Sequence, residues 1–137
     1  MLAVFDTNVI VSGLLFKGST KDLFTFVDSG KITLCFTPNI FAEIQRVLTY
    51  THLQPALKKN LISQEEMMDF LRDHSELFED VSVFNLVKDD STDNKFIDCA
   101  FRAGARWVVS GDHHLLDLGT VGDIRIVTPA QFLKEIL

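Results

Sequence analysis

The chain has 137 residues, 47% of them apolar and 23% charged, with a formal charge of −6 at pH 7. That length suits one domain over residues 1–137, and the apolar fraction excludes low-complexity disorder. The longest apolar stretch, Val9 to Phe16, is broken by Ser12 and Gly13, and no segment reaches the roughly 18 to 20 apolar residues that a membrane span needs.

The opening Met-Leu-Ala-Val-Phe-Asp lacks a basic stretch and a cleavable apolar region, so no secretory signal is expected. Two cysteines, Cys35 and Cys99, both in apolar contexts, make neither a disulfide framework nor a metal quartet. Buried, reduced thiols in a cytoplasmic protein are the expectation. The excess of 19 acids over 13 Lys and Arg argues against binding nucleic acid through a basic surface.

Leu2 to Phe5 is a short apolar run ending at Asp6 and reads as a buried strand. Ser19 opens a helix with Leu23, Phe24 and Val27 on one face, stopped at Gly30. Ile32 to Phe36 is a second strand, followed by Thr37-Pro38 as N-cap and first helical position. That helix carries Ile40, Phe41, Ile44, Val47 and Leu48 along one side. A weaker helix is expected over Leu53 to Leu61. Ser63-Gln64-Glu65-Glu66 is then a capping box, with Met67, Phe70, Leu71, His74 and Phe78 following at helical spacing. Val81 to Phe84 is expected as the third strand. The next helix opens near Asp90 to Thr92, turns Phe96, Ile97, Ala100 and Phe101 inward, and stops at Gly104. Trp107–Val109 and Ile124–Val127 are strands four and five, and Thr128-Pro129 starts a last helix. Short apolar strands alternating with helices specify an α/β fold with a parallel sheet covered on both faces, a three-layer sandwich.

In such sheets, ligand sites lie beyond the carboxyl ends of the strands. Four acids fall there: Asp6 after strand one, Glu43 in the helix after strand two, Asp93 opening the helix after strand three, and Asp112 after strand four. Each has an ordinary reading as a cap, a first-turn acid or a solvent-facing helix residue. The helical wheel favours a site. At 100° per residue Asp93 falls on the arc of Phe96, Ile97, Ala100 and Phe101, where a carboxylate is costly unless paired, protonated or metal-bound. Asp98 falls on the opposite side and is assigned to solvent, and Glu43 flanks the stripe of Ile40, Ile44 and Val47. No Lys or Arg follows the same logic into this end. Unpaired carboxylates repel, and a hard divalent ion with all-oxygen ligation, Mg²⁺ or Mn²⁺, relieves that. Such an ion works on phosphate oxygens and supplies the positive charge that the composition lacks, which points to a phosphodiester substrate. Asn8 and Ser110 stand where they would orient carboxylates or metal-bound water, or serve as plain turn residues.

Together, Asp6-Thr7-Asn8-Val9, Glu43, Asp90-Ser91-Thr92-Asp93-Asn94-Lys95-Phe96 and Ser110-Gly111-Asp112 resemble a PIN domain over essentially the whole chain. The nearest likeness is to toxin ribonucleases of prokaryotic toxin–antitoxin pairs. The resemblance implies a five-stranded parallel sheet in the order 3-2-1-4-5 and a Mg²⁺- or Mn²⁺-dependent endoribonuclease. It also implies a homodimer and a cognate antitoxin. Carried over by position, the catalytic and metal-binding acids are Asp6, Glu43, Asp93 and Asp112. Two departures stand out: Ser91 replaces a frequent proline, and His113-His114 replaces a common pair of basic residue and second acid.

Among the other candidates, His113 and His114 are adjacent and so point apart on regular structure; His113 is read as a phosphate contact rather than a ligand. Arg46, Lys58, Lys59 and Lys95 lie nearest the presumed cleft and are either RNA-backbone contacts or exposed charge. His74 reads as a satisfied core or interface group. Glu65, Glu66, Asp69, Asp73, Glu76, Glu79 and Asp80 read as a solvated face. Twelve phenylalanines against one Trp and one Tyr point to core, with Phe70 or Phe78 available to a dimer or antitoxin groove. A phosphatase of the haloacid dehalogenase type wants a second Asp where Asn8 stands, and a receiver domain wants a lysine where Thr128-Pro129 stands. The alternative from another class is a catalytically silent PIN-like module that binds RNA or docks a protein.

Overall fold

A computed structural model describes residues 1–16, 18–83 and 94–137. β1 (Leu2–Phe5) lies at the centre of the sheet because Ala3, Val4 and Phe5 are fully buried and have no polar side chain to return to water. It pairs in parallel with β2 (Thr33–Phe36) on one side and β4 (Trp107–Val109) on the other. β3 (Ser75–Leu77) extends the sheet beyond β2, and β6 (Ile124–Val127) extends it beyond β4, both in parallel. The two-residue strand β5 (Thr120–Val121) closes the far edge antiparallel to β6. The order is β3-β2-β1-β4-β6-β5.

Two differences from expectation concern the sheet. A sixth, antiparallel strand is added through a two-residue hairpin, Gly122-Asp123, in which Gly122 takes φ 58°. A Gly-Asp pair between short apolar runs is a sequence signal for such a turn. The third strand is Ser75–Leu77, not Val81–Phe84: residues 81–83 form no strand and Phe84 lies outside the described residues. Edge strand β3 leaves Glu76 and Leu77 exposed, so its sequence has no apolar signature, whereas Val81-Ser82-Val83 alternates like a strand.

Helices cover both faces of the sheet, giving three layers. α1 (Thr7–Leu15) follows β1 directly and was not expected from the sequence, where Val9-Ile10-Val11 carries no 3.6-residue rhythm. It packs on α2 (Ser19–Asp28) so closely that a Cβ on Gly13 would stand 2.2 Å from the Phe24 ring. α3 (Pro38–Val47) follows β2, with Ile40 and Ile44 buried. A 3₁₀ turn (Thr51–Leu53), α4 (Gln54–Lys59) and α5 (Gln64–Asp73) come next; the Ser63–Glu66 capping box forms as expected. α5 ends at Asp73, so Phe78 is not helical; it follows β3. α6 (Asn94–Ala103) packs across β1, β2, β4 and β6. The short α7 (His113–Leu116) follows β4, and α8 (Pro129–Ile136) follows β6.

Phe5 meets Phe24 of α2 and Phe132 of α8 edge-to-face, at centroid distances of 5.9 and 6.1 Å. Each such pair adds about 0.5–1.5 kcal/mol beyond area burial. Cys35 and Cys99 are free and fully buried, and burial pushes each thiol up to about 12, so both stay protonated and act as packing. Phe70 and Phe78 are half-buried and packed against the core. His74 is satisfied, with Nδ1 2.8 Å from the Phe70 carbonyl. The seven acids from Glu65 to Asp80 are exposed. Among the described residues no helix is long and apolar enough to cross a membrane.

Candidate active site

The chain leaves β1 toward β2 on one side and later returns to β4 on the other, so the crossover direction reverses between β1 and β4. In open α/β sheets such a reversal is where ligands bind, outside the carboxyl ends of the strands. Asp6 ends β1 and N-caps α1: the Val9 N–H donates to its Oδ1 at 2.8 Å, and its own N–H donates to the Val109 carbonyl at 3.0 Å. The Ser110 hydroxyl, fully buried at the end of β4, donates to Asp6 Oδ2. The same Ser110 oxygen accepts from the Asp112 N–H at 2.9 Å, and Asp112 in turn caps α7 by accepting from the His114 N–H at 2.9 Å. Asp6, Ser110 and Asp112 therefore form one chain of hydrogen bonds across the two central strands.

Asp6 is 5% exposed. Burial raises its carboxyl above the ordinary 3.8, the Ser110 and Val9 hydrogen bonds pull it back, and the Asp112 charge raises it further. Glu43, on the second turn of α3, is tied to the same place through the next residue: the Thr7 hydroxyl donates to Glu43 Oε2. The Lys95 ammonium donates to its other oxygen at 2.7 Å, and Arg46 lies 4.0 Å away.

Asp93 lies outside the described residues; the described helix begins at Asn94, which is buried. Ser110 sits between the acids, whereas Asn8 is exposed and Thr7 is the residue that reaches Glu43. Of the candidate phosphate contacts, Arg46 and His113 are exposed and Lys95 is occupied by Glu43.

Four expectations are corrected here. Basic residues do enter this end, Lys95 foremost, because α3 and α6 bring positions 52 residues apart together. Asp98 is buried, not solvated, and the Val83 N–H donates to it at 3.1 Å. Phe101, assigned to the core, is 56% exposed. The histidine pair also differs from expectation. The rings of His113 and His114 lie with centroids 4.0 Å apart at the start of α7. Their nitrogens and an Asp112 oxygen fall within 4.8 Å of one another, the group so gathered among the described residues.

Asp6, Glu43 and Asp112 are not drawn so tightly, and each is turned to donors of its own. The donor set nonetheless fits a divalent cation. A buried carboxylate whose proton affinity is raised by burial and by a second carboxylate is stabilised by a positive ion beside it.

A mostly parallel, doubly covered sheet, with the Asp6 carboxylate linked through Ser110 to the Asp112 backbone at its switch point, defines an α/β protein with an acidic strand-end site. The PIN domain family matches residues 3–114, and the chain belongs to that family. The structure is similar to a chain in the crystal structure of VapBC2 from Rickettsia felis bound to a DNA fragment from their promoter. The TM-score is 0.58 at 12% identity, covering 92% of this chain and 97% of that one. No curated protein matches the sequence.

Proposed function

We propose that residues 1–137 form one metal-dependent endoribonuclease domain that hydrolyses RNA phosphodiesters, with Asp6, Glu43, Asp93 and Asp112 as its acidic residues. The observation that carries this reading is the hydrogen-bonded series Asp6–Ser110–Asp112 at the switch point, with Glu43 joined beside it through Thr7. Those carboxylates exceed what capping two helices requires. They stand where the crevice of an open sheet receives its ligand. PIN domains are generally nucleases that use divalent ions, which supports the same conclusion.

Mg²⁺ or Mn²⁺ would be held by the four acids, and when bound it supplies a water of lowered pKa and stabilises charge on the leaving oxygen. Ser110 holds Asp6 in orientation, and Thr7 does the same for Glu43. Arg46 and His113, both exposed, would meet substrate phosphate. The likeness to a VapBC2 chain supports reading the protein as the toxin of a toxin–antitoxin pair, with a cognate antitoxin and a homodimer as its assemblies, in the cytoplasm.

The deciding experiment is cleavage of a mixed RNA substrate with Mg²⁺ or Mn²⁺ by the wild type, Asp6→Asn and Asp93→Asn. The wild type should cut, and both variants should lose cleavage while keeping their circular dichroism spectrum. Equal cleavage by all three would place the chemistry elsewhere. Binding of RNA without any cleavage by the wild type would instead identify a silent module.

A further inference from the structure

We infer that Lys95 is the resident counter-ion of Glu43: its ammonium holds that carboxylate in the metal-free protein and competes with a divalent ion for it. The inference rests on the reading of Glu43 as a metal ligand. The pair spans α3 and α6 at 2.7 Å, with the Lys95 and Glu43 side chains only 15% and 19% exposed. Arg46, on the same helix as Glu43, is 65% exposed and stands at 4.0 Å, so it contributes little. Both Glu43 oxygens are engaged, Oε1 by Lys95 and Oε2 by Thr7. Each oxygen keeps a further lone pair, so a cation that takes Oε1 comes to rest beside the Lys95 ammonium. Two like charges on one oxygen repel at close range, so the ion and the ammonium compete for Glu43. While paired with Glu43, the Lys95 Nζ also lies 5.4 Å from the Phe96 ring centroid, a contact that supports it in place.

The arrangement places one cation among the carboxylates at this end of the sheet. Asp6 already has its proton affinity raised by burial and by Asp112. Lys95 removes the excess charge in the metal-free protein and thereby sets a threshold of ion concentration for loading the site. It is a positioning residue for the acid, not a phosphate contact in this state.

The test titrates Mn²⁺ alone into the wild type, Lys95→Met, Lys95→Arg and Glu43→Gln, followed by the electron paramagnetic resonance of free Mn²⁺ at fixed pH and ionic strength. Thermal melts in EDTA and in Mn²⁺ accompany it. Lys95→Met should bind Mn²⁺ roughly fivefold more tightly, the size expected when one partly buried cation leaves a site. It should also melt lower than the wild type in EDTA and gain more on adding Mn²⁺. Lys95→Arg, which keeps the charge, should stay close to the wild type. If Lys95→Met binds Mn²⁺ equally or more weakly while Glu43→Gln loses affinity, Glu43 is a ligand and the role given to Lys95 is wrong. If Glu43→Gln leaves Mn²⁺ uptake unchanged, Glu43 is no ligand, and both this inference and that part of the functional reading fall.

Discussion

Four strands hand over to helices at the carboxyl edge of the sheet, and they do so in two ways. At the flanking strands the junctions are neutral: Thr37-Pro38 after β2 and Thr128-Pro129 after β6. Thr128 caps α8 with its hydroxyl, accepting from the Gln131 N–H at 3.1 Å, while the Gln131 side chain returns the bond. At the two central strands the same capping is done by carboxylates, Asp6 and Asp112. A hydroxyl suffices to satisfy the first orphan N–H groups of a helix. Asp6 performs that task while nearly fully buried and with a raised pKa, so the ionised form is held at a cost that Thr128 avoids. The central pair is thus over-charged for capping, and the surplus coincides with the switch point of the sheet.

The largest expected effect comes from removing that surplus. Asp6→Asn keeps an acceptor for the Val9 N–H and discards the charge. In the wild type, a divalent ion at about 100 times its Kd should add about 2.7 kcal/mol to stability; Asp6→Asn should gain almost none. In EDTA the order should reverse. Because the folded carboxyl is raised above 3.8, the unfolded chain ionises first as pH rises. Metal-free wild type therefore loses stability from the ordinary carboxylate range up to the raised value, and it stays lower above that. Asp6→Asn lacks this loss and should melt higher than the wild type at neutral pH. Differential scanning calorimetry across pH, with and without Mn²⁺, reads both halves. A variant that melts lower than wild type in EDTA would show Asp6 to be structural, like Thr128.

Much of the contrast was legible in the sequence, because caps and strand ends are local. The apolar runs at Leu2–Phe5, Thr33–Phe36, Trp107–Val109 and Ile124–Val127 carry strand signatures, and the Ser63 and Thr128 caps are written in four residues each. The misses share a non-local cause. Edge strand β3 is specified by pairing with β2 rather than by its own Ser-Glu-Leu. Asp98 accepts from Val83, 15 residues away, which no helical wheel registers. The Lys95–Glu43 pair needs α6 to cross α3 before either residue meets the other. Thr7 rather than Asn8 reaches Glu43 because α1, which has no 3.6-residue rhythm in the sequence, starts at Thr7 and so sets which side chain meets α3.

A smaller effect is expected at the residue that joins the central pair. Ser110 gives its proton to Asp6 and takes one from the Asp112 N–H, all within a fully buried site. Ser110→Ala keeps both carboxylates but frees the orientation of Asp6 and leaves the Asp112 amide without that acceptor. Loss of such an outer partner typically costs 10–100-fold in metal affinity, so Mn²⁺ binding should weaken about tenfold. Loss of the buried hydrogen bonds should lower stability by about 1–3 kcal/mol. An unchanged Mn²⁺ affinity would mean that Asp6 and Asp112 do not act as a unit.

The smallest effect, and the sharpest check on the contrast, lies at the neutral junction. Thr128→Ala removes the hydroxyl that caps α8 and should cost about 1 kcal/mol, with no change in Mn²⁺ affinity. Thr128→Asp copies the chemistry of the central junctions onto a flanking one. Asp is at least as good an N-cap as Thr, so stability should move by no more than a few tenths of a kcal/mol. The added carboxylate enters a half-exposed position at the end of β6, without the second acid and the shared buried hydroxyl that Asp6 finds in Asp112 and Ser110. It should therefore stay readily solvated and leave Mn²⁺ binding as it was. If Thr128→Asp instead tightened Mn²⁺ binding, a single strand-end carboxylate would be enough to recruit the ion. The placement of Asp6 and Asp112 on adjacent central strands would then lose its significance.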